Sequence, residues 1–175
     1  VRMPHTFMPY DTTRTIAKAK SRSEYGLPEE GIVFCSFNHA YKIQPEMFER
    51  WMRILRRTPN SVLWILSADE VIEKNLRREA ADRGVSADRL IFAPRYPFLP
   101  IPDYLARYQV VDIVLDTFPY TSHSTAMDVL WVGVPLVALS GETFASRVSG
   151  SLLTAAGLPE LIGHSYAEFE ELAVE

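Results

Sequence analysis

The sequence predicts an α/β fold, a parallel sheet covered by helices on both faces, and three observations predict it. Short apolar runs alternate along the chain with segments of helical period. The connections between them are short. The apolar runs are nearly continuous, which is the pattern of strands buried on both sides.

Each element follows in order. Residues 1–30 lack a clean period; Pro4, Pro9 and Pro28 punctuate them, and Arg14, Lys18, Lys20 and Arg22 make them basic. They are read as a linker with at most one short helix, ahead of a domain over 31–175. Gly31–Phe37 (GIVFCSF) is the first strand. Pro45 suits a first helical position, and Met47, Phe48, Trp51, Met52 and Leu55 then recur at helical spacing. Ser61–Leu66 is the second strand. Ser67 and Glu70 have capping-box spacing and open a charged helix ending at Gly84. Arg89–Ala93 is the third strand, and a Pro-rich loop leads to a short helix near Pro102–Gln109. Val110–Leu115 is the fourth strand. His123–Trp131 is a helix stopped at Gly133, Val134–Leu139 the fifth strand, and Gly141–Ala156 a helix closed by Gly157. Ser165 and Glu168, again at capping-box spacing, open the last helix. Trp51, Trp64 and Trp131 lie on apolar faces and are read as core, and Tyr41 as packing.

Bulk properties exclude several classes. The 175 residues suit one ordinary domain. With 18 basic and 22 acidic residues the net charge is −4, against electrostatic nucleic-acid binding. The single cysteine, Cys35, forms no internal disulfide, which fits a reducing compartment, and a cytoplasmic location is expected. No apolar run reaches the roughly 18–20 residues of a membrane span, so no membrane partner is expected. The chain opens on Val1 and closes on Glu175 inside an acidic stretch, so it is read as a piece of a longer protein.

Common catalytic signatures are absent: no G-x-G-x-x-G, Walker A, H-E-x-x-H, G-x-S-x-G or paired C-x-x-C. His5, His39, His123 and His164 have no metal-ligand spacing, so no metal is expected. Parallel sheets bind ligands where strands run into helix N-termini, which directs attention to the loops Asn38–Gln44, Pro94–Asp103, Thr117–Ser124 and Ser140–Thr143.

Asp116–Asp128 (DTFPYTSHSTAMD) follows a strand, opens a helix and is dense in hydroxyls. A helix N-terminus offers free N–H groups and about half a positive charge, a site for phosphate. Ser124 and Thr125 would add donors, and Asp128, one turn in, would accept from ribose hydroxyls. The alternative is that these hydroxyls only cap the helix. In Phe37–Ile43 (FNHAYKI), Lys42 is placed to approach a phosphate as a compact charge or else is a solvated surface lysine. His39 is a donor to phosphate or sugar, or simply exposed. In Gly141–Arg147 (GETFASR), Gly141 suggests a close backbone approach. Glu142 suits a helix start, and Arg147 is expected to pair with a buried carboxylate.

FNHAYKI, PNSVLWIL, DTFPYTSHSTAMDVLWVGVPLV and GETFASRVSGSLLTAAGLPELI together resemble the C-terminal catalytic lobe of the O-linked N-acetylglucosamine transferase (SPINDLY-type) family. The four blocks keep their order and approximate spacing over nearly the whole chain. The opening MPHTFMPYD resembles the family's crossing from its N-terminal lobe, which makes residues 1–30 an inter-lobe linker. The resemblance implies a GT-B architecture of two Rossmann-like lobes, with the donor nucleotide held mainly by this one. It implies inverting, metal-independent transfer from a UDP-sugar, N-acetylglucosamine above all, to Ser or Thr of an acceptor protein. An N-terminal catalytic lobe and tetratricopeptide repeats would belong to the same full-length chain.

Residue by residue, the resemblance assigns Lys42 to the donor phosphates, where it stabilises the leaving diphosphate. It places His39 near the same phosphates and matches His123, Ser124 and Thr125 to a His-Thr-Thr run around the diphosphate. Asp128 matches a ribose-binding aspartate and Arg107 an arginine beside the uracil site. The loop 93–103 departs from the family. Phe98 or a neighbour stands where the animal enzymes have a ribose-contacting lysine. Asp103 or Tyr104 stands at their uracil-stacking histidine, and Tyr104 offers a ring that stacks on a base. Base and sugar therefore stay open, as do a protein fucosyl- or N-glucosyltransferase and a non-catalytic nucleotide-sugar-binding module.

Overall fold

The computed structural model describes residues 6–67, 69–94 and 99–175. Its strands are β1 (Ile32–Ser36), β2 (Ser61–Leu66), β3 (Leu90–Ala93), β4 (Ile113–Leu115), β5 (Leu136–Leu139) and β6 (Ile162–Gly163). Its helices are α1 (Pro45–Arg57), α2 (Glu70–Asp82), α3 (Ile101–Ala106), α4 (Ser124–Val132), α5 (Val148–Ala155) and α6 (Tyr166–Leu172). All strands pair in parallel, in the order β3-β2-β1-β4-β5-β6.

The continuous apolar strands serve two cores. Successive side chains of a strand point to opposite faces. Val33, Cys35, Val114, Leu136 and Ala138 therefore face α4 and α5, with Trp64 and Tyr108. Phe34, Leu115, Val137 and Leu139 face α1, α2 and α6. The predicted face of α1 is fully realised: Met47, Phe48, Trp51, Met52 and Leu55 are buried, Pro45 opens the helix, and Arg56 and Arg57 lie in its last turn, where cations oppose the helix dipole. Burying each such large apolar side chain contributes about 2 kcal/mol.

Several expectations are corrected. The α2 cap is Asp69, whose carboxylate accepts from the Ile72 N–H at 2.8 Å; Ser67 instead bonds Glu73. Val110 belongs to a 3-10 turn, Arg107–Val110, so β4 is shorter than its apolar run. The helix expected from Gly141 begins only at Val148, because residues 141–147 fold into a turn in which Thr143 and Ser146 bond each other. The two-residue β6 was too short to carry a pattern. Trp131 is half-buried, and its Nε1 donates to the Arg14 carbonyl at 3.1 Å. Tyr41 is exposed rather than packed. Arg147 is exposed and forms no ion pair among the described residues. The predicted close approach at Gly141 is present: a Cβ there would stand 2.7 Å from Ser146 Oγ.

Among the described residues the leading segment contains one 3-10 turn, Ser23–Tyr25, and otherwise runs over the domain. Ala17 exchanges hydrogen bonds with Pro102 and Gln109, and Arg22 pairs with Asp112 at 2.8 Å. No helix among the described residues is long and apolar enough to cross a membrane.

This topology fixes where a ligand fits. From β1 the chain winds outward through β2 to β3, and from β4 the other way through β5 to β6. The loops leaving β1 and β4 therefore diverge, and a crevice opens between them at the carboxyl ends of the strands.

Candidate functional site

The crevice is a cavity of about 420 Å³, and its lining includes all eight residues expected from the sequence: His39, Lys42, Tyr104, Arg107, His123, Ser124, Thr125 and Asp128. They arrive from three separate loops and helices. The assignment that fell near Phe98 lies outside the described residues.

Lys42 is not a surface lysine. A 3-10 turn over Ala40–Lys42 tucks it back against the β4 loop, where it is 9% exposed. Its Nζ donates to Asn38 Oδ1 at 3.2 Å and to the Thr121 carbonyl at 3.0 Å. The Tyr120 ring lies 4.1 Å away, in cation–π reach. Burial pulls its pKa below the usual 10.5, and the Asp116 carboxylate opposes that pull. Asn38, itself buried, passes the tie onward: its Nδ2 donates to Ser122 Oγ at 2.7 Å.

Asp116 organises the β4 loop. One carboxylate oxygen accepts the N–H groups of Thr117 and Ser122, both at 2.8 Å, which folds residues 116–122 back on themselves. Ser149 of α5 locks the same loop by donating to the Ser122 carbonyl at 2.7 Å. Thr121 Oγ1 donates to the Ala145 carbonyl at 2.7 Å. Three of the predicted hydroxyl residues are thus structural. Thr117, Thr121 and Ser122 are buried in these bonds, while Ser124 and Thr125 open α4 at the cavity. Burial raises the Asp116 pKa, against the N–H bonds it accepts from Ser122 and Thr117.

His123 precedes α4 as its N-cap without a side-chain capping bond, and among the described residues its buried Nε2 has no partner. Burial, then the nearby Lys42 charge, lowers its pKa below 6.5. Beside it, the first N–H groups of α4 have no intrahelical partner, and they lie where an anion in the crevice would sit.

Asp128, one turn into α4, is 8% exposed. Burial raises its pKa, while Tyr10 and Arg14 lower it. On the opposite wall Tyr104 hydroxyl bonds Tyr108 hydroxyl at 3.0 Å, and burial pushes the Tyr104 pKa up to about 12. Arg107, 5% exposed, packs its guanidinium over Phe37 and Tyr104 and donates to the Pro94 carbonyl at 3.3 Å. His39 is exposed at the rim, stacked on Tyr41 with centroids 5.6 Å apart.

Sequence reasoning missed Asn38, Tyr120, Tyr10 and Arg14. Asn38 and Tyr120 stand inside the quoted blocks, and a polar residue directly after a buried strand was the available signal for Asn38. Tyr10 and Arg14 carry no local signal, because their partner lies 118 and 114 residues away. A larger opening of about 490 Å³ lies by the start of α5, among Phe7, Phe144, Arg147 and His164. Its ionisable groups are exposed, whereas the crevice holds Lys42, Arg107 and Asp128 buried around one space. Chemistry that needs fixed charge belongs in the crevice.

The chain is similar to known proteins over most of its length. The chain is 38% identical over 154 residues to the "UDP-N-acetylglucosamine--peptide N-acetylglucosaminyltransferase" of Caenorhabditis elegans, covering 88% of this chain and 13% of that protein. It is 42% identical to the "Probable UDP-N-acetylglucosamine--peptide N-acetylglucosaminyltransferase SEC" of Arabidopsis thaliana, covering 87% and 16%. Among solved structures it is similar to a mutant O-GlcNAc transferase of Thermobaculum terrenum, with TM-score 0.83 and 32% identity over 99% of this chain and 32% of that one. The chain thus spans a minor part of each of these proteins. Its six-stranded sheet is a Rossmann-like lobe of the GT-B type, as the resemblance implied. The sequence model of glycosyl transferase family 41 matches residues 10–175, and the chain belongs to that family of glycosyltransferases.

Proposed function

We propose that this chain is the donor-binding lobe of an inverting, metal-independent protein glycosyltransferase that moves N-acetylglucosamine from a UDP-sugar to Ser or Thr hydroxyls of an acceptor protein. One observation carries the reading: eight residues matched to donor roles from scattered blocks line one crevice, at the point where the strand order reverses. The names of the relatives supply the sugar and the acceptor class.

In this reading the diphosphate lies across Lys42 and the start of α4. As the acceptor hydroxyl attacks the anomeric carbon from the opposite face, the bond to the diphosphate oxygen breaks and negative charge grows on the leaving group. Lys42, the free N–H groups of α4 and the hydroxyls of Ser124 and Thr125 stabilise that charge, and Lys42, Ser124 and Thr125 line the space in which it grows. Asp128 accepts from the ribose hydroxyls, and Tyr104 and Arg107 form the wall for the base. Acceptor binding and proton removal fall to the remainder of the intact protein, with an N-terminal lobe and tetratricopeptide repeats.

Calorimetric titration of the intact protein with UDP, GDP and their sugars tests the reading. UDP and UDP-N-acetylglucosamine are expected to bind, with Lys42→Ala weakening both. Preference for GDP would transfer the reading to a fucosyltransferase. Failure of every nucleotide to bind at millimolar concentration would remove it.

A further inference from the structure

Asp128 is held from outside the crevice by the leading segment of the chain. Tyr10 hydroxyl donates to Asp128 Oδ1 at 2.9 Å, and Arg14 Nη1 donates to the same oxygen at 3.0 Å. Both bonds fall on one oxygen. Among the described residues none bonds Oδ2, and the carboxylate lines the crevice.

The two donors are themselves anchored on α4. The Tyr10 ring packs against Trp131, with centroids 5.5 Å apart, and the Arg14 guanidinium lies 4.9 Å over the Tyr10 ring. Trp131 Nε1 donates to the Arg14 carbonyl at 3.1 Å. Asp128 and Trp131 are three residues apart on one helix face, so segment and carboxylate share a single support. A carboxylate free to rotate exchanges its two oxygens. Here two charge-assisted or phenolic bonds to Oδ1 fix the rotamer, and Oδ2 is left as the acceptor for a ligand hydroxyl.

We infer that Tyr10 and Arg14 are positioning residues that aim Asp128 Oδ2 at the ribose diol of the donor, making the leading segment part of the nucleoside-selecting apparatus. The inference rests on the reading that Asp128 accepts from the ribose. It adds a specificity element that the strand-end loops alone do not contain.

The test compares UDP with 2′,3′-dideoxy-UDP by calorimetry on the intact protein. The wild type is expected to prefer UDP by roughly tenfold or more, the worth of a hydrogen bond to a charged group. Asp128→Asn should bring that ratio close to one. Tyr10→Phe combined with Arg14→Met should lower the ratio by roughly threefold or more while leaving the affinity for the dideoxy nucleotide near its wild-type value. Merely structural damage would weaken both nucleotides together and leave the ratio intact. If the double variant does not fold, Tyr10→Phe alone, which keeps its ring against Trp131, is measured in the same way. A wild-type ratio in the foldable variant overturns the inference while the loss in Asp128→Asn leaves the ribose reading standing. An unchanged ratio in Asp128→Asn, or no preference in the wild type, overturns both.

Discussion

Lys42 Nζ donates to the backbone carbonyl of Thr121 at 3.0 Å, joining two loops whose residues are 79 apart in sequence. The bond draws a cation into the crevice and fixes it beside the α4 N-terminus. A lysine held this way is preorganised for an anion, because its orientation is set before the ligand arrives.

Replacing that cation should therefore act on turnover more than on folding. In the intact enzyme Lys42→Ala is expected to lower kcat on the order of a hundredfold, the typical loss when one donor to a developing charge is removed. Thermal melting should shift by only a few degrees, consistent with about 1 kcal/mol of lost hydrogen bonding. Steady-state kinetics alongside a melt separate the two, and near-wild-type kcat would contradict the role given to Lys42.

The same burial gives a pH dependence. A lysine whose pKa is depressed loses its charge at lower pH than one in water, so Lys42 becomes neutral somewhere below 10.5. The phosphates of UDP are already ionised in that range. Affinity should thus hold through neutral pH and fall on the alkaline side as pH rises through the depressed value. Isothermal titrations across the alkaline range read it directly. Lys42→Met should abolish that fall; a variant that retains the full wild-type profile would assign the titration to another group.

Asn38 sits between Lys42 and Ser122, accepting from one and donating to the other. Asn38→Ala leaves both partners without it, and urea denaturation should show a loss of about 1–3 kcal/mol, the cost of stranding buried polar groups. UDP affinity should fall as well, because Lys42 loses one of its two anchors. No change in either quantity would mean the network does not constrain the lysine.

Two glycines separate strain from contact. Gly31 has φ +92°, and a Cβ there would lie 2.0 Å from the Asn60 carbonyl oxygen. Gly133 has φ +86°, and its Cβ would meet nothing within 4 Å. Gly133→Ala should therefore cost about 1 kcal/mol from backbone conformation alone. Gly31→Ala should cost clearly more, beyond about 2 kcal/mol, because the edge of β1 must also move away from residue 60. Equal losses in chemical denaturation would dismiss the clash.

Much of the fold was legible because its signals are local. Five of the six strands are apolar runs, since both faces of the sheet are covered, and α1 announces itself through Pro45 and the period of Met47, Trp51 and Leu55. The misreadings arose where local pattern was ambiguous. In residues 141–147 Glu142 suits a helix start, but Thr143 and Ser146 satisfy each other in a turn instead. Ser67 had capping-box spacing, yet Asp69 stands nearer the first turn with the better acceptor. The site was legible in part through quoted blocks, and not through spacing, which left Lys42 equally a surface lysine and Ser124 equally a cap.

The sequence by itself determined the alternation of strands and helices, the two-sided burial of the sheet, and the family whose motifs Lys42 and His123–Asp128 carry. Those properties depend on residues within a few positions of one another. Only the tertiary structure decided that Lys42 is buried rather than solvated, that Thr121 and Ser122 are structural while Ser124 and Thr125 face the crevice, and that Tyr10 and Arg14 grip one oxygen of Asp128. Each of these depends on elements brought together across scores of residues by the reversal of strand order between β1 and β4, and no periodicity or spacing within the chain encodes such a contact.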